Sequence, residues 1–95
     1  MSPINKKKLY LLRTKLDKLD NKLLEIIKKR SNLVKEVLKL KVYKKEIIDK
    51  KRINFILKKI RKKSIQKRID PKITDRIWKN MIWSFINFEK RNFKK

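Results

Sequence analysis

Ninety-five residues carry 32 Lys and Arg against 9 Asp and Glu, a formal charge of +23, and include no Cys, His, Gly or Ala. Without Cys or His, disulfides, thiol nucleophiles and the usual zinc or His-based triad chemistry are excluded. No apolar run approaches the roughly 20 residues of a membrane span and the N-terminus lacks an apolar signal core, which predicts a cytoplasmic single domain, 1–95, with no metal and no membrane partner.

In chain order, Pro3 is expected to keep the first residues out of helix one, which is predicted over about residues 5 to 42. Positions 9, 12, 16, 19, 23, 26, 30, 33, 37 and 40 hold Leu, Leu, Leu, Leu, Leu, Ile, Arg, Leu, Val and Leu. This alternating three-and-four spacing draws a single stripe along the helix, and Arg30 interrupts it. Residues 43–48, "YKKEII", have no strong periodicity and read as a connection. Asp49 is the expected cap of helix two, with Ile48 and Ile53 placed for a hydrophobic staple, and the helix runs to about 66 on Ile53, Ile56, Leu57 and Ile60. Asp70 and Pro71 then supply a cap and a first helical residue for helix three, which runs to about 92. There is no strand alternation, internal repeat or Gly/Ser linker. The fold class is all-α with three helices.

Helix one is predicted to be about 57 Å long, far longer than the other two. Two short helices cannot cover it. Its Leu stripe is expected to pair with a second copy, making an intertwined homodimer built on helix one.

Each helix also carries ionisable groups out of pattern. Lys41 lies three turns beyond Arg30 at nearly the same angle, Asp49 and Arg52 flank the apolar stripe of helix two, and the ladder Ile73, Ile77, Met81, Phe85 ends in Glu89. An ion pair between Arg30 and Glu89, or a Glu89 beyond the end of the core, are the plain structural alternatives. With so few acids present, three cations near one apolar seam point instead to a bound anion. Arg13 and Lys41 are about 42 Å apart along one helix, too far to share a small ligand. If long helices pair antiparallel about Leu23 and Leu24, Arg13 of one copy comes level with the span from Arg30 to Lys41 of the other.

Three segments, "LYLLRTKLDKLDNKLLEIIKKRSNLVKEVLKLK", "IIDKKR" and "IDPKITDRIWKNMIWSFINFEK", resemble the all-helical chorismate mutases, the AroQ class, over about residues 9 to 90. The resemblance implies an intertwined dimer that rearranges chorismate to prephenate in aromatic amino-acid biosynthesis, a pericyclic reaction that needs no cofactor. It implies that Arg30 and the partner subunit's Arg13 hold the two carboxylates, with Arg52 adding positive charge. Lys41 is implied to reach the ether oxygen and ring hydroxyl, Asp49 to lie near that hydroxyl, and Glu89 to donate to the ether oxygen. Ile82, Phe85 and Ile86 are implied to wall the pocket.

One departure is Ile53, where the family often has a Glu that helps hold the ring hydroxyl. A related branch, the isochorismate-pyruvate lyases, has an apolar residue there, and simple staple packing against Ile48 is the other reading. Two non-enzymatic readings stand beside these: a basic helical nucleic-acid binder, and a coiled-coil module in which Arg30 sets register. The Lys and Arg are spread along the whole chain among abundant Ile and Asn, the mark of a chain-wide drift in composition. Most are therefore expected to be solvated helix surface, with no nucleic-acid partner.

Overall fold

The computed structural model describes residues 1–94, and among these every regular element is helical: α1 (Pro3–Leu40), a one-turn 3-10 helix (Lys44–Ile47), α2 (Lys50–Gln66) and α3 (Pro71–Asn92). Two of the three starts follow the expected capping chemistry. The Asp49 carboxylate accepts from the Arg52 amide at 3.0 Å, and that of Asp70 accepts from the Lys72 amide at 2.9 Å, with Pro71 as the first helical residue. Each cap satisfies an amide that the helix itself leaves without a carbonyl.

The start of α1 differs from expectation. Pro3 does not hold the chain out of the helix but opens it, and Ser2 acts as the cap, its Oγ accepting from the Asn5 amide at 3.1 Å. A proline at the first position loses nothing, because its missing N–H would have no helical acceptor there. At the other end α1 stops at Leu40, two residues short of the expected end, and Lys41 leaves the helix.

The chain divides into two units, Met1–Leu33 and Val34–Lys95. The first is the greater part of α1, and no residue of that helix is fully buried. The stripe residues Leu12, Leu16, Leu19, Leu23 and Leu33 are all more than half exposed. So long an apolar row facing water is unusual for a chain that stays alone.

The second unit has a small core. Ile47, Ile82 and Ile86 are buried, and Leu38, Ile48, Ile53, Ile56, Leu57 and Phe93 pack against them. Residues 43–48 thus do more than connect, since the 3-10 turn plants Ile47 in the centre of the core. Between α2 and α3, Ser64 and Thr74 share a buried hydrogen bond of 2.7 Å, and Ser64 Oγ also donates to the Ile60 carbonyl at 2.6 Å. Buried hydroxyls are tolerated because they are satisfied in this way. The turn after α2 places Arg68 at φ 60°, while the Arg68 amide donates to Ile65 O and the Ile69 amide to Ser64 O. This is the Schellman closure that usually falls to glycine, and the chain has no glycine to use.

On α3 the expected ladder Ile73, Ile77, Met81, Phe85 is not the core stripe. Ile73 and Ile77 are 56% and 51% exposed, and Thr74, Ile82, Ile86 and Glu89 face inward. The two rows lie one position apart, at 73 and 74, 81 and 82, 85 and 86, so the four-residue spacing of the ladder alone does not select between them.

Candidate active site

Lys41 and Glu89 are 48 positions apart in sequence, and folding of the second unit brings them together. Lys41 follows the last turn of α1, its amide donating to the Leu38 carbonyl at 3.1 Å. The next amide, that of Val42, donates to a Glu46 carboxylate oxygen at 3.1 Å, which fixes the chain as it leaves the helix. From this position the Lys41 ammonium donates to both carboxylate oxygens of Glu89, at 3.1 and 3.0 Å. The side chains are 17% and 7% exposed, so water screens this pair far less than the open Lys39–Glu36 and Lys79–Asp75 pairs on the surface.

Glu89 therefore lies inside the fold, not beyond the end of the core, and Lys41 is its partner at hydrogen-bonding distance. A lysine ammonium has three N–H donors. With two committed to Glu89, one remains for another acceptor.

The opening of α2 lies in the same unit. Asp49 and Arg52 are exposed, and one Asp49 oxygen is committed to the helix cap. Ile53 is half-buried and packs against the core together with Ile48, as a staple does. It also borders a shallow hollow of about 190 Å³ with Ile48, Lys50, Asn54 and Trp83. A second hollow of about 190 Å³ lies among Leu38, Lys39, Asn92, Phe93 and Lys94. Neither hollow is lined by Lys41 or Glu89.

Of the three residues expected to wall a pocket, Ile82 and Ile86 are buried core residues, while Phe85 is half-buried. Arg13 and Arg30 belong to the first unit, where Arg13 is exposed and Arg30 half-buried.

The second unit thus holds a shielded lysine hydrogen-bonded to a buried carboxylate, just past the end of a long, leucine-striped helix and followed by two shorter capped helices. Residues 12–90 match chorismate mutase type II. The chain belongs to the chorismate mutase type II family. No curated protein and no solved structure matches it.

The matched span takes in each of the site candidates: Arg13, Arg30, Lys41, Asp49, Arg52, Ile53, Ile82, Phe85, Ile86 and Glu89. Sequence reasoning passed over Glu46 and Ile47, which fix the exit of the chain behind Lys41. Their signal was faint: one acid and an Ile pair in a run otherwise read as linker.

Proposed function

We propose that this chorismate mutase family member rearranges chorismate to prephenate in the biosynthesis of phenylalanine and tyrosine, as a homodimer with two equivalent sites. The observation that carries the reading is the shielded Lys41–Glu89 pair within a chain of this family. Glu89 holds the Lys41 ammonium in place, and the third N–H of that ammonium is the natural donor to the ether oxygen of the breaking C–O bond.

Arg30 pairs with one substrate carboxylate. The partner subunit's Arg13 takes the other carboxylate, Arg52 adds charge, and Asp49 and Lys41 attend the ring hydroxyl. Phe85, with Ile82 and Ile86 behind it, supplies the apolar side. Catalysis then consists of holding the dianion in its compact conformer and stabilising negative charge that develops on the ether oxygen. When Glu89 carries a proton it adds a second donor to that oxygen. Nothing in the reaction requires a nucleophile or a cofactor.

The dimer has its support in the exposed row Leu12, Leu16, Leu19, Leu23 and Leu33. Pairing two such rows removes them from water at about 25 cal/mol per Å² of apolar surface.

Ile53 favours a second reading, isochorismate-pyruvate lyase activity on the same fold. Its packing beside Ile48 supports the simpler account of a staple. The deciding experiment is incubation of the purified protein with chorismate and, separately, with isochorismate, with identification of products. Prephenate from chorismate supports the mutase. Salicylate and pyruvate from isochorismate, with chorismate unchanged, establish the lyase instead.

A further inference from the structure

On α2 the apolar residues Ile53, Ile56 and Leu57 pack into the core, and the opposite face lies open to solvent. From Lys50 to Ile69 there is no acidic residue. At about 100° per residue, Lys51, Phe55, Lys58, Lys59, Lys62 and Lys63 fall within one arc of about 140°. Phe55 is 55% exposed in the midst of these cations. The Arg52 guanidinium and the Lys59 ammonium lie 5.5 and 5.8 Å from the centre of its ring.

A drift toward lysine accounts for cations on a wet helix face. It does not account for the half-exposed phenyl ring set among them, with two of the cations drawn up over it. We propose that this face binds single-stranded nucleic acid, with its lysines neutralising successive phosphates and Phe55 stacking on a base. From Lys51 to Lys63 is about 18 Å along the helix, a length that suits a run of a few nucleotides. Base stacking on an aromatic ring is indifferent to sequence, and a groove or face of cations supplies the remaining attraction.

Other polyanions fit less well. An anionic membrane needs a broad apolar face to enter the interface, and the apolar side of α2 is already packed into the core. Inorganic polyphosphate and acidic peptides match the charge but give a phenyl ring nothing to stack upon. The inference is independent of the mutase reading, since neither Phe55 nor the lysines of the arc belong to the proposed site.

The test is fluorescence anisotropy of the full chain with labelled oligothymidylate of about 15 nucleotides, over a salt series, with a duplex of equal length, polyphosphate and poly-glutamate as competitors. The single strand is expected to bind tightest, with a slope of log K against log salt of about −3 if four phosphates are neutralised. Phe55→Ala weakens the strand about five- to 150-fold and leaves the slope unchanged. Lys58→Gln with Lys62→Gln reduces the slope by about 1.4 and keeps the preference for the single strand. Circular dichroism confirms that each variant keeps its helices. The proposal is overturned if Phe55→Ala binds like the wild type, or if polyphosphate or poly-glutamate competes as well as the strand. A Phe55→Ala protein that sediments as a smaller species also overturns it, because Phe55 then belongs to a contact between copies.

Discussion

Replacing Lys41 by Met removes the donor to both oxygens of Glu89 and leaves a carboxylate on a side chain only 7% exposed without its counter-charge. Breaking a buried ion pair from one side costs about 3–5 kcal/mol. The Lys41 side chain keeps 17% of its exposure, so water replaces part of the loss and the lower end, about 3 kcal/mol, is expected. At a urea dependence of about 1–3 kcal/mol per molar, that lowers the unfolding midpoint by roughly 1–3 M. Protomer concentration must be held constant, since association adds to apparent stability. Glu89→Gln keeps one acceptor for the ammonium, and about 1 kcal/mol is expected. The double variant Lys41→Met with Glu89→Leu removes both charges together and recovers most of the loss, because two apolar side chains leave no unpaired ion. A Lys41→Met protein within about 1 kcal/mol of wild type would refute the reasoning, for the pair would then behave like one open to water.

The same pair yields a prediction for turnover. A carboxylate at position 89 accepts from Lys41 and faces the charge developing on the ether oxygen, whereas the amide of a glutamine both accepts from Lys41 and donates to that oxygen. Glu89→Gln is therefore expected to keep turnover of chorismate, and Glu89→Leu, which offers neither, to lose most of it. A Leu variant that turns over chorismate like the wild type removes Glu89 from the mechanism.

Three further outcomes are expected. Sedimentation over a dilution series should show dimer with no folded monomer at micromolar concentration, and Leu16→Lys with Leu23→Lys should abolish the assembly; a fully helical, stable monomer of the wild type would sink the dimer. Arg13→Ala and Arg30→Ala should each lose nearly all mutase activity, and mixing the two inactive proteins under subunit exchange should restore one intact site per heterodimer. No recovery despite demonstrated exchange removes Arg13 from the partner's site. Arg68→Gly should stabilise the fold by about 1 kcal/mol by relieving a left-handed backbone at a non-glycine residue, which is about 4–8 °C in Tm for a domain of this size; an unchanged or lower Tm contradicts that account.

Local chemistry made the helix boundaries legible. Asp49, Asp70 and Pro71 announce their starts through short-range hydrogen bonds and a fixed φ, and all three are found in those roles. Ser2–Pro3 carries the same cap and first-residue signal, but a proline near a terminus also reads as a stop, and the sequence alone does not separate the two. The face of α3 was not legible, because two apolar rows share the helix and the chosen one includes Thr74. That threonine looks polar in the sequence, and it is buried because Ser64 satisfies its hydroxyl.

The site divides along the same line between local and non-local information. Arg30 is visible as an exception within a periodic stripe, since a seven-residue rhythm makes one guanidinium conspicuous. Glu89 is visible as the end of an i, i+4 ladder and through the family resemblance, but nothing local joins it to Lys41 across 48 positions. What brings them together is the second unit's core: Ile47 draws the chain after Lys41 onto α3, and Ile82 and Ile86 put the next inward position of that helix at 89. The carboxylate is thus held by the apolar residues that precede it on α3, and substitutions at Ile82 or Ile86 should reach the Lys41–Glu89 geometry through packing alone, without touching either charge.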